Sequence, residues 1–233
     1  MAPALPRSSF NSSSFIRCLA DLHIAAVPGS KQGFAERLSQ WLVWTDAIAL
    51  STALAAGTGA RLLDGRPGAA TATAALREEL ARVRDALADA ITSDELLAAA
   101  PTVGPDSGAA SAIDFAAYRR SYIAHQRAMD AAIAELRTQV RAALSRLSPE
   151  LSRLAALDGV LDDALLARER HLLASVPGLL EQHAAQLGEP PSPAWQTACG
   201  QHLQRVLLAE LDLRLQPVVG MIETIGHEAD TQP

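Results

Sequence analysis

Aromatic residues are scarce in this chain, at 4% against 49% hydrophobic residues overall, so the apolar share rests on Ala and Leu. Both are strong helix formers, and no stretch alternates apolar and polar residues over a useful length, which argues against a sheet. Lysine is nearly absent: Lys31 is the one lysine among 20 basic residues, the rest being arginine. An individual Arg here is therefore weak grounds for a phosphate or carboxylate site. Cysteine is limited to Cys18 and Cys199, too far apart in sequence to suggest a disulfide framework and suited to a reducing compartment. The net charge of −6 argues against broad binding to nucleic acid, which leans on a cationic surface.

Long apolar runs are missing too. The longest uncharged stretch in the opening region, Ala47 to Ala60, is too short to cross a bilayer, and extending it would take in Asp46. A carboxylate at mid-bilayer costs roughly 2.5–3.5 kcal/mol on insertion scales. The opening MAPALPRSSFNSSSF carries Pro and Ser in place of a continuous apolar segment, so it does not read as a signal peptide. The expectation is a cytoplasmic protein that does not insert into a membrane.

Motifs for chemistry are absent in the same way. No Glu has His three residues later, no His-Glu-x-x-His or Cys-x-x-Cys occurs, and the glycines of GTGARLLDG lack a Lys-Ser or Lys-Thr ending. Cys199-x-x-His202 has ligand-like spacing but lies on an apolar helix seam, where packing explains it. The sequence thus predicts no catalytic residue, no metal and no cofactor, and a non-enzymatic protein.

What is present is helical periodicity. A first helix starts in Ser12-Ser13-Ser14, with Val27-Pro28-Gly29 as its stop. A second, from Ser30 or Lys31, carries Phe34, Leu38, Trp41, Thr45 and Ile48 on one face and Val43, Ala47, Leu50 and Leu54 on nearly the opposite one. A helix apolar on two sides is expected to be buried on two sides. The stretch QWLVWTDAIAL, residues 40–50, therefore reads as core, with a partner-binding hot spot as the alternative because Trp dominates such sites. Asp46 is its anomaly. Either Thr45 or Asp46 caps a new helix after Trp44, or one helix continues and Asp46 pairs with an Arg or an indole N–H.

After a glycine-rich loop at 57–68 a helix from Thr71 or Thr73 has the seam Leu76, Leu80, Val83, Leu87, with Glu78 and Arg82 placed for an exposed pair. A linker follows at 101–111. Nothing breaks helix from 112 to 147, about 54 Å of it. Its seam runs Phe115, Tyr118, Tyr122, His125, Met129, Ile133, Leu136, Val140, Ala143, Leu147, with a stutter at Met129. Ser148-Pro149 and Ser192-Pro193 each pair an N-cap with an N1 proline, opening two further helices. The first of them has a possible break at Asp158-Gly159, and Pro217 should kink or stop the second.

The predicted fold is all-α: an elongated helical bundle with one long coiled-coil-like helix near 112–147. Its expected parts are a disordered tail at 1–13, helical segments at 14–100 and 112–225 around the linker, or one continuous domain 14–225, and a disordered tail at 226–233. Trp41, Trp44, Tyr118 and Tyr122 are the expected packing anchors. Arg119, Arg120 and Arg127 of the long helix are candidates for charge complementarity to a protein partner or a second copy, and, in the competing reading, for nucleic acid with the tyrosines stacking on bases.

Residues 34–54, FAERLSQWLVWTDAIALSTAL, and 207–225, LLAELDLRLQPVVGMIETI, resemble a family of uncharacterised proteobacterial proteins defined only as a domain of unknown function. The resemblance runs from Phe15 to Ile225 and brings no activity and no catalytic residue. Members are encoded near MotA/TolQ-like proton-channel proteins and OmpA-like peptidoglycan-binding proteins. The resemblance implies a cytoplasmic accessory subunit of an ion-driven envelope complex.

Overall fold

A computed structural model of the chain describes residues 13–24, 34–55, 69–98, 114–188 and 192–231. The described residues form eight helices and no strand: α1 Ser14–Asp21, α2 Phe34–Trp41, α3 Trp44–Ala55, α4 Ala69–Thr92, α5 Phe115–Leu147, α6 Pro149–Leu173, α7 Val176–Ala184 and α8 Pro193–Thr231. The expected amino-terminal tail up to residue 12, the loop at 57–68 and the linker at 101–111 lie outside the described residues.

Local chemistry sets most helix ends. Ser148 accepts from the Leu151 amide at 3.1 Å with Pro149 behind it, and Ser192 accepts from the Trp195 amide at 3.3 Å ahead of α8. Asp114 caps α5 through the Ala117 amide at 3.2 Å. α1 ends sooner than Val27-Pro28-Gly29 suggested. His23 takes a left-handed φ of 57°, so its amide reaches the Ala20 carbonyl and the Ile24 amide reaches that of Leu19, both at 2.9 Å. This double closure satisfies the last carbonyls of the helix, and the Leu19–Ile24 pairing lies against the core.

α5 and α8 are the two long helices, at 33 and 39 residues, and α8, which the sequence reading expected to falter at Pro217, is the longer. Pro217 is exposed and the helix passes through it. It continues to Thr231, into the stretch expected as a disordered tail. α6 likewise runs unbroken past Asp158-Gly159.

α5 is surrounded: α4, α6, α7 and α8 all pack on it, so its apolar seam faces a multi-helix core and not one partner strand. Tyr118, Tyr122, Met129, Ile133, Leu136 and Val140 are buried as the periodicity implied. At two positions the buried residue is a neighbour of the expected one, Gln126 for His125 and Leu144 for Ala143. α1 and α4 both pack on α8, and the buried residues of α1, α4 and the helices after 114 belong to one apolar cluster. Trp195 closes one end of it: its indole N–H donates to the Ala184 carbonyl at 2.8 Å and its ring meets Tyr118 edge-on, centroids 5.8 Å apart. On the surface of α4, Arg82 pairs with Glu79 and not with the expected Glu78.

Candidate functional site

Two places stand out: an exposed apolar helix and a charged cluster inside the core. The first is QWLVWTDAIAL itself. The chain is not one helix here but two, broken at Leu42-Val43, which puts the cap position at Val43, two residues before Thr45 and three before Asp46. Asp46 is the third residue of α3, and its carboxylate reaches back to accept from the Val43 amide at 2.9 Å. That is the returning half of a capping box, which gives Asp46 a partner without an Arg or an indole.

The expectation of a core at this stretch is overturned. Trp44 is 79% exposed, Val43 60%, Leu54 57% and Ile48 50%. Among the described helices α3 has one closely packed neighbour, α6, which it meets through the side that holds Asp46, Ala49, Leu50 and Ala53. A helix apolar all round buries only as many faces as it has neighbours. Trp41 is half-buried, with the Arg168 guanidinium of α6 4.7 Å from its ring centroid. One turn on, Leu172 is 53% exposed.

The second place is one the sequence reading missed. Glu210 of α8 is wholly buried, and its carboxylate accepts from the Tyr122 hydroxyl at 2.6 Å, from Gln126 Nε2 at 3.0 and 3.2 Å, and from Arg214 Nε and Nη2 at 2.9 and 2.7 Å. Gln126 also donates to the Leu173 carbonyl at 3.1 Å, and Arg214 Nη1 donates to Asp130, which faces Arg170 at 3.5 Å. These bonds tie α5, α6 and α8 together from within. Burial first, then the Glu210 charge, push the Tyr122 hydroxyl well above its ordinary range, so it stays a donor. The signal lay in the seam 203, 207, 210, 214, 218, which is apolar except at the i,i+4 pair Glu210 and Arg214.

The arginines of α5 divide. Arg137 makes a two-pronged contact with Asp158 at 2.6 and 2.8 Å and reaches Asp162 at 2.7 Å, and Arg141 bonds the same two carboxylates at 3.2 and 3.0 Å. Arg119 faces Glu181 at 3.5 Å on the surface. Arg120 and Arg127 are exposed.

A Ser, an Asp and a His do meet. Ser121 Oγ donates to Asp94 at 2.6 Å and His125 Nε2 lies 2.9 Å from the same oxygen. Asp94 also accepts from the Leu96 amide at 2.9 Å. Burial works against its charge, but the bonds from Ser121, His125 and Leu96 outweigh it and hold the carboxyl below the ordinary range. Activating a serine requires imidazole to take the hydroxyl proton, whereas here both groups address the carboxylate. The cluster fastens the turn after α4 onto α5.

Near α7, His183 Nε2 and His202 Nδ1 are 2.9 Å apart, so one proton serves both nitrogens. His183 Nδ1 is buried without a hydrogen-bond partner. Burial lowers the pKa of both rings, and the charge of His23 acts further on His183, that of His183 and Arg205 on His202. A pKa lowered by folding means that the neutral pair stabilises the fold above the ordinary value of 6.5, and that this contribution is lost as pH falls below it. Melting temperature should therefore decline between pH 7 and pH 5.5, and a His183→Gln/His202→Gln double variant should show a flatter profile over the same window. Cys199 is buried, and burial pushes its thiol up to about 12, which fits packing and not ligation. No group of three potential metal ligands occurs among the described residues.

An open groove of about 340 Å³ between α4 and α5 is lined by Glu79, Arg82, Val83, Leu87, Glu135 and Leu136 among others. Its polar side chains are paired with one another, Glu79 with Arg82 and Gln139 donating to Glu135 at 3.4 Å.

Fold and surfaces together define a multi-helix protein whose buried charges serve packing and whose most distinctive external feature is an apolar helix; none of its described helices is long and apolar enough to cross a membrane. The chain belongs to the family described as protein of unknown function DUF3348, which it matches over residues 1–227. No curated protein and no solved structure matches it.

Proposed function

We propose that this chain is a helical assembly or adaptor protein without chemistry of its own, and that α2 and α3 are its binding element. The observation that carries the reading is the exposure of Val43, Trp44, Ile48 and Leu54 on one helix. Exposed large hydrophobics scattered singly are ordinary, but four within twelve residues form a patch of the kind that marks interaction sites. Charge supports a protein partner over nucleic acid. Arg137 and Arg141 are neutralised by Asp158 and Asp162, and Arg119 by Glu181, which interrupts the arginine stripe that phosphate binding needs. The resemblance noted above gives the finer form: a cytoplasmic accessory subunit for an ion-driven envelope complex, with MotA/TolQ-like and OmpA-like proteins as its neighbours.

Trp44→Ala tests the reading. Its ring is mostly in water already, so the melting temperature should stay within the ordinary range for a surface change, about ±0.5 kcal/mol in unfolding free energy. Assembly, measured as co-purification of partners from the native source or as solution mass, should be lost. Full retention of assembly by a stable Trp44→Ala protein would sink the reading.

A further inference from the structure

We infer that the surface covering the outer face of α3 is the α3 of a second copy, so that the chain forms a two-fold dimer through this helix. The inference rests on the binding role just proposed and names its partner.

Charge is the first argument. A two-fold contact sets a surface against itself, so any net charge on it repels its own copy. The chain as a whole carries −6, yet α3 has no ionisable residue after Asp46. Asp46 itself is only partly exposed and is drawn back onto the Val43 amide. The outer face therefore meets an identical face without electrostatic penalty, where most other surfaces of this acidic protein would not.

Area is the second. Exposed Val43, Trp44, Ile48 and Leu54 together offer roughly 500 Å² of apolar side chain, at the upper end of what a monomer leaves in water. Two such faces brought together withdraw roughly 1,000 Å², the lower bound for a specific interface. A single small ligand does not cover that much.

Relief is the third. Trp44 stands at the start of the face and Leu54 ten residues later, about 15 Å along the axis. Between them Ala47 and Ser51 are exposed and small, leaving a low centre beside Ile48. Antiparallel pairing seats each Trp44 against the partner's Leu54 end and brings the two helix backbones close over Ala47 and Ser51.

The test is the solution mass of the full chain by light scattering over a wide dilution series, with Trp44→Glu and Ile48→Glu beside it. The expected result is a dimer that dissociates on dilution and is absent in both variants, whose circular dichroism and melting temperature remain those of the folded chain. Trp44→Ala should weaken it by roughly thirtyfold or more. A Ser51→Cys chain supplies an independent readout, because Cys18 and Cys199 are buried and the introduced thiol is accessible. It should form a disulfide-linked dimer under mild oxidation, suppressed by Trp44→Glu. A chain that is monomeric at every concentration overturns the inference, as does a dimer that survives both glutamate variants. In the monomeric case, loss of a co-purifying protein in Trp44→Ala leaves the binding role standing with a different occupant. Retention of that protein removes both.

Discussion

Replacing Glu210 by alanine is expected to lower the unfolding free energy by about 3–5 kcal/mol, the cost of breaking a buried ion pair from one side. The variant takes from the buried Arg214 guanidinium its closest counter-charge, leaving Asp130 bonded to it and Glu169 nearby, and strands the Tyr122 hydroxyl and a donor of Gln126. Chemical denaturation read by helical circular dichroism measures it. Two companions separate the charge from the volume. Tyr122→Phe removes one hydrogen bond to the carboxylate and should cost about 1.5–3 kcal/mol. The pair Glu210→Leu/Arg214→Met removes both ions and should recover much of what the single variant loses, since apolar replacements of buried pairs are often neutral or better. Should Glu210→Ala unfold at the denaturant midpoint of the natural chain, the carboxylate is not the link among α5, α6 and α8 that its bonds describe.

Gly200→Ala should be the second large effect, with a sign opposite to what helix propensity suggests. Alanine in the interior of α8 would ordinarily stabilise by about 0.5–1 kcal/mol over glycine. A Cβ on residue 200, however, would lie 2.8 Å from the Leu97 carbonyl oxygen, which belongs to backbone in the turn after α4. Leu97 is fully buried, and Asp94 pins the same turn to Ser121 and His125, so it has little freedom to withdraw. Overpacking of this kind costs about 1–3 kcal/mol. The melting temperature should fall, and hydrogen exchange should show the amides of Leu97 and Ala98 losing protection before those of α5. A stabilised Gly200→Ala chain would mean that α4 and α8 do not approach as closely as this contact requires.

Both predictions concern residues that read as unremarkable in the sequence, which shows where sequence reading reaches its limit. Ser148-Pro149 and Ser192-Pro193 are legible because capping is a local event among three or four consecutive residues. The seam of α5 is legible because helical geometry alone puts Tyr118, Tyr122, Met129 and Val140 on one side. Pro217 and Asp158-Gly159 misled because their local penalties are small beside the packing on both sides of them: α8 keeps Leu215, Val218 and Met221 in the core across the proline, and Asp158 is held by two arginines. Trp44 misled for the converse reason. Its neighbours are apolar on every side, and pattern alone does not say how many helices arrive to cover them.

Composition and periodicity by themselves determined the helical class, the seams and several helix starts, because these depend on backbone propensity, side-chain spacing and contacts within a turn. Only the tertiary structure decided which seam residues are core. It placed Glu210 and Arg214 among three helices and, among the described helices, gave α3 one closely packed neighbour, so that a carboxylate lies inside and a tryptophan outside. Burial is a property of what packs against a residue, and the partners here, Tyr122 with Glu210 across 88 positions and Asp130 with Arg214 across 84, are too distant in sequence for local patterning to specify.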